Sequence, residues 1–348
     1  MEKHVNMALA IVAGLLFFSC HPTELPAQKV PSIADDAKTP QTSKSKTYFL
    51  VVGKAKITDP ARMQEKAAAS VAMVANAAGK FRPGIVVDTV AESVMTKEQY
   101  QRGEAREKVT GAIFKERLTR LATDTTPQDT VVIYTHSHGR KNGFEESQPL
   151  GGIVMDLPVR RTKHRGAFLW DEYVDLLLKI PAKNVVVLTM SCYSGGLVEH
   201  LNSLQVRDRW KDRRQKQGRS LIVLTSQNKD LQSPPIVRNG EVINPFTYAV
   251  AKMLAGEADG FNLVRGKPAK PPHKDGILTV GEMIDYVLYT TEHTISEQAR
   301  LKNIAKPQLT GSFNREDVLS INVDASGDNY EKNNTAQDAP ADADKPRR

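Results

Sequence analysis

Five aliphatic, β-branched runs, most separated by stretches of helical character, constrain this chain more than any other feature. They read TYFLVVG (47–53), GIVVDTV (84–90), DTVVIYTHSHG (129–139), NVVVLTMSC (184–192) and SLIVLTSQ (220–227). Their cores are continuously apolar instead of alternating, the mark of strands covered on both faces. Between them, 63–78 is Ala-rich and helix-favouring, and 97–121 places Val109, Ile113, Leu118 and Leu121 at near-helical spacing. Further helices are expected around 170–178 and after Gly196. Strands alternating with helices of this length imply an α/β fold with a mostly parallel central sheet flanked by helices. In such folds the working residues gather at the carboxyl edge of the sheet, where both THSHG and MSCYSGG fall.

The ends of the chain read differently. Residues 1–20 combine a short basic start, an apolar run over 7–18 and the sequence FFSC ending at Cys20. The run falls short of the ~20 residues of a membrane span, so a secretory signal is expected. A small residue followed by cysteine resembles a bacterial lipoprotein signal, which implies lipidation of Cys20 and an exported protein anchored to a membrane of the cell envelope. Residues 21–46, rich in Pro, Ser, Thr, Ala and Lys, read as a flexible tether, and the polar stretch 324–348 as a disordered tail. One domain over 47–323 remains. Of the two cysteines, Cys20 and Cys192, lipidation would consume the first and leave Cys192 as an unpaired thiol. The formal net charge of +8 is read as a solvated surface, with no nucleic-acid partner expected.

The stretch YTHSHG (134–139) admits three chemistries. Ser137 as a hydrolase nucleophile would need a glycine-flanked elbow launching a helix, but Thr135 replaces the first glycine and a loop-like segment follows. His136 and His138 as metal ligands would project from one strand face, yet Arg140 follows and no further ligand cluster is near in sequence. His138 as acid/base partner needs a nucleophile at a matching strand end, and Cys192 is the candidate. No metal or cofactor is expected, and His136 is assigned to packing or a loop hydrogen bond.

YTHSHG followed by VVVLTMSCYSGG resembles the strand ends of clan CD cysteine peptidases, the caspase and legumain group, whose motifs run apolar strand, His-Gly, then apolar strand, small residue, Cys. Cys192 lies 54 positions after His138, close to the spacing of about 50 in caspases. The segments LIVLTSQNKDLQSPP, NPFTYAVAKMLAGEADG, DGILTVGEMIDYV and AKPQLTG are similar to the later elements of bacterial caspase-like domains. The resemblance implies a caspase-like three-layer sandwich and a cysteine endopeptidase acting on a peptide or protein. It implies Cys192 as nucleophile, His138 as proton donor to the leaving amine, and the backbone N–H groups of Gly139 and Cys192 as the oxyanion site. It puts the segment after the 220–227 strand, with Ser226 and Asp230, at the pocket for the residue before the cut. Asp230 there would suit a basic side chain, Lys229 or Arg140 an acidic one. Met190 and Ser191 stand where caspases carry Gln-Ala, and Ser191 replaces the aspartate that metacaspases place before the nucleophile, so no preference for Arg or Lys is implied. The alternative from another class is a catalytically silent lipoprotein of the same fold that binds a peptide or protein partner.

Three further segments carry expectations. The stretch 206–219 holds seven cations in fourteen positions and reads as a solvated helix end and loop, or as a self-processing segment. KDGILTVGE imitates half of a calcium loop, but Pro271 and His273 occupy the first ligand offsets, so the segment reads instead as a turn into a helix with Thr279 as N-cap and Glu282 closing a capping box. His164, His200, His273 and His293 have no motif around them and are expected at the surface.

Overall fold

A computed structural model describes residues 45–54, 61–81, 85–91, 109–141, 151–154, 167–233, 235–238, 241–269, 274–296 and 306–321. The chain divides into 1–43 and 44–348, and all described residues lie in the second unit. The expected signal with Cys20, nearly all of the tether and the 324–348 tail lie outside the described residues, as do His164 and His273.

The aliphatic runs form the strands of one sheet: β1 (Thr47–Gly53), β2 (Ile85–Ala91), β3 (Thr130–His136), β4 (Asn184–Met190) and β5 (Ser220–Thr225). A sixth strand, β6 (Gln308–Ser312), closes one edge. The order is β2-β1-β3-β4-β5-β6, with β1 to β5 mutually parallel and β6 antiparallel to β5. Strand order reverses between β1 and β3, the kind of switch point at which open α/β sheets form ligand crevices. Every residue of β4 and β5 is buried, while the edge strand β2 has no buried residue.

Among the described residues, seven α-helices cover the sheet, giving a three-layer α/β sandwich. On one face lie α1 (Ala61–Lys80), α6 (Pro245–Lys252) and α7 (Val280–Ser296). They enclose a core with Phe49, Tyr134, Leu188, Phe246 and Ile284. On the other lie α2 (Gly111–Asp124), α3 (Trp170–Leu177), α4 (Gly195–Asn202) and α5 (Leu204–Arg214). Their core holds Phe114, Ile133, Trp170, Tyr173, Val187 and Trp210. Neighbouring residues of each central strand feed opposite cores, which is why the runs are apolar throughout.

Local signals set several boundaries. Helix α2 starts at Gly111, because Thr110 caps it by accepting the Ile113 N–H at 3.2 Å; residues 97–108 of the longer expected helix lie outside the described residues. The expected capping box opens α7: Thr279 N–H donates to Glu282 Oε2 at 2.8 Å, and Glu282 N–H donates to Thr279 Oγ1 at 3.2 Å.

The basic stretch 206–219 is solvated as expected except at its buried residues Val206, Trp210 and Arg214. Helix α5 buries Trp210, whose Nε1–H donates to the Leu201 carbonyl at 3.0 Å, and Arg214 is only 1% exposed. The Arg214 guanidinium donates to the carbonyls of Ile180, Ala182, Lys183 and Ser220, at 2.7 to 3.3 Å. Burial lowers its pKa to about 10, so it stays charged. His200 is another correction. It is a buried residue of α4 instead of lying at the surface, 3.4 Å from Asp171, and burial lowers its pKa against the pull of that carboxylate. His293 is exposed as expected and stacks on Tyr289 with ring centroids 3.6 Å apart.

Candidate active site

The two histidine and cysteine motifs end adjacent parallel strands. The register pairs His136 with Met190, and the Ser137 N–H donates to the Met190 carbonyl at 3.0 Å, extending the β3–β4 ladder past the strand ends. His138 and Cys192 follow one and two residues later, and both are partly exposed. Gly139 then presses its backbone onto the cysteine: a Cβ there would lie 1.6 Å from the Cys192 carbonyl oxygen, 2.7 Å from its carbonyl carbon and 3.0 Å from Ser191 Oγ. Only glycine permits that approach. Gly139 and Arg140 are held from the other side by a ribbon pairing with Gly152–Val154, which pairs in turn with Ala167–Leu169.

The chain reverses directly after Cys192. Tyr193 adopts φ 57°, a left-handed conformation uncommon for a residue with a side chain, and its N–H donates to the Leu231 carbonyl at 2.9 Å. Gly196 N–H and Leu197 N–H donate to the carbonyls of Tyr193 and Ser194, tightening the first turn of α4 three residues beyond the cysteine. Gly195 is required as well, since a Cβ there would come within 2.6 Å of the Asn228–Lys229 backbone.

The neighbouring histidine is not equivalent to His138. His136, like His138, is partly exposed as a residue, yet desolvation of its ring first, then its fellow imidazole, push its pKa down to about 3. Its Nδ1 is 3.4 Å from the Tyr134 hydroxyl, which shares a 2.7 Å hydrogen bond with Thr247. The assignment to packing and hydrogen bonding therefore describes its surroundings. Ser137 is buried, at 5% exposed, and its N–H continues the β3–β4 ladder. Among the described residues, no group of three or more His, Cys, Asp or Glu side chains is placed to hold a metal ion.

Ser226 does not line a pocket, which corrects the expectation. It is 1% exposed, because its hydroxyl accepts the Ser191 N–H and donates to the Ser191 carbonyl, each at 3.2 Å. It thereby fastens β5 to the residue before Cys192. Asp230 is exposed and paired with Lys141 at 3.0 Å, while Lys229 is paired with Glu199 at 2.7 Å. Charges of both signs are thus already matched within the rim. Gly195, Val198, Glu199, Asn228, Lys229 and Asp230 border an open groove of about 650 Å³, and neither His138 nor Cys192 is among its lining residues.

Two residues with structural weight at the site escape a sequence reading. Gln227 is fully buried; its Oε1 accepts the Asn228 and Lys306 N–H groups at 3.0 and 2.8 Å, and its Nε2 donates to the Gln232 carbonyl at 3.1 Å. Lys54, just past β1, is 4% exposed, donates its N–H to the His136 carbonyl at 2.9 Å and its Nζ to the Val109 carbonyl at 2.7 Å. Each sits in a polar stretch that reads as ordinary loop. The one local hint is that Lys54 directly follows an apolar strand at the switch point.

No protein-family model matches the chain, and no curated protein matches it. Among solved structures, protein GSU0716 from Geobacter sulfurreducens is similar at 14% identity, over 77% of this chain and 93% of that one, with a TM-score of 0.44.

Proposed function

We propose that this protein is a cysteine endopeptidase of the caspase and legumain type. The observation that carries this reading is the contact of Gly139 with the Cys192 carbonyl, which joins the ends of β3 and β4 with a partly exposed imidazole and a partly exposed thiol beside it. In the proposed reaction the Cys192 thiolate attacks the scissile carbonyl, His138 gives a proton to the departing amine, and water hydrolyses the thioester. Backbone N–H groups of Gly139 and Cys192 hold the oxyanion. The sequence FFSC supports export and anchoring to the cell envelope through a lipid on Cys20.

Treatment of the purified protein with a panel of peptidyl acyloxymethyl ketones tests the chemistry. The expected result is one label per chain, mapped to Cys192 by mass spectrometry and lost in His138→Ala. A thiol that stays unlabelled across the panel favours the second reading, a silent binding protein. What supports that reading is the open groove beside α4, which neither dyad residue lines. Incorporation of an alkyne fatty acid, abolished in Cys20→Ala, is expected for the anchor.

A further inference from the structure

The carboxyl ends of the three central strands carry threonines in one row. Thr135 pairs with Thr189 across β3 and β4, and Thr189 pairs with Thr225 across β4 and β5. Each follows at even spacing the residues that feed the core beneath α2 to α5, namely Ile133, Val187 and Val223, so all three belong to that face. Thr225 is satisfied, donating from Oγ1 to the Gln227 carbonyl at 3.2 Å. Thr135 Oγ1 and Thr189 Oγ1 are sealed from solvent and have no hydrogen-bond partner among the described residues. The same holds for Tyr173 Oη on the overlying helix α3, for Trp170 Nε1 one helical turn before it, and for Ser191 Oγ two residues beyond Thr189. All five residues are 0% exposed. The Tyr173 hydroxyl lies near Thr189; burial raises its pKa and the Thr189 side chain partly offsets that rise.

A sealed hydroxyl without a partner costs roughly 1–3 kcal/mol, and proteins seldom leave several together. Threonine and tyrosine hydroxyls each both donate and accept, which matches water, a ligand that makes about three such bonds at buried polar sites. We propose that α3 and the threonine row hold fixed internal water, bound by Thr135 Oγ1, Thr189 Oγ1 and Tyr173 Oη. This water bridges β3 to β4 directly below the turns that carry His138 and Cys192, and it stands or falls independently of any peptidase activity.

A high-resolution crystal structure of the full chain, with that of Thr135→Val/Thr189→Val alongside, tests the proposal. Valine keeps the shape of threonine and removes only the hydroxyl's bonding. The wild-type map is expected to show water within ~2.7–3.2 Å of at least two of the three hydroxyls, and the double variant to lose or displace it. A wild-type map in which the hydroxyls bond one another or nearby carbonyls with no water between them overturns the proposal. So does water that keeps its position in the double variant.

Discussion

Gly139 and Cys192 touch backbone to backbone, with a hypothetical Cβ at position 139 falling 1.6 Å from the Cys192 carbonyl oxygen. That single contact decides how closely the His138 and Cys192 turns can approach, because neither backbone can yield without breaking the ladder of β3 and β4.

Gly139→Ala therefore forces the two turns apart. The expected result is a stability loss of about 1–3 kcal/mol, typical of overpacking against a rigid neighbour, in urea unfolding. Labelling of Cys192 by a peptidyl electrophile is expected to fall with it. An alanine variant with unchanged stability and unchanged labelling would show that the contact places no constraint on the pair.

His136 makes stability depend on acid. Its folded pKa of about 3 lies below the ordinary histidine value of 6.5, so between these limits the unfolded chain binds a proton that the folded chain refuses. Stability is then unaffected by this ring above pH 6.5 and falls as the pH drops toward 3, with a slope approaching ~1.4 kcal/mol per unit from this group alone. Urea unfolding of wild type and His136→Gln between pH 4 and 7 measures it. The variant is expected to show the shallower slope, and parallel curves would refute the burial-driven shift.

Arg214 ties the end of α5 to the approach of β4 and the start of β5 through four carbonyls. Arg214→Met strands those acceptors in a buried site and is expected to cost at least ~2 kcal/mol in urea unfolding. Arg214→Lys keeps the charge but cannot span the same carbonyls, so it is expected to restore only part of the loss. Full recovery by lysine would mean that charge alone matters at this position.

The sheet is legible in the sequence because a strand covered on both faces leaves a continuous aliphatic run, and β1, β3, β4 and β5 carry one, while the edge strand β2 has a shorter run ended by Asp88. Strand β6 carries none: QLTGS is short, edge-placed and interrupted by Gly311, whose positive φ brings it against the Leu221 carbonyl. The meeting of the His138 and Cys192 segments is legible from two motifs at strand ends. Burial of single polar residues is not. Nothing in DRRQKQ marks Arg214 as the one cation turned inward, and nothing in TSQN separates the sealed Ser226 and Gln227 from their exposed neighbours. These choices depend on carbonyls and turns brought from distant parts of the chain, and local composition does not record them.

Parallel pairing of β3 with β4 has a consequence for sequence drift and for engineering. The lateral step between two hydrogen-bonded strands is fixed at ~4.8 Å by the backbone, whatever connects them. Length changes in the connection, outside the ribbon beside Gly139 and outside α3, then carry an entropic cost that grows only slowly with loop size, while the two strand tips hold their separation. Length changes of that kind are a place where a tag, a sensor or a new recognition loop can be carried without moving the two strand tips.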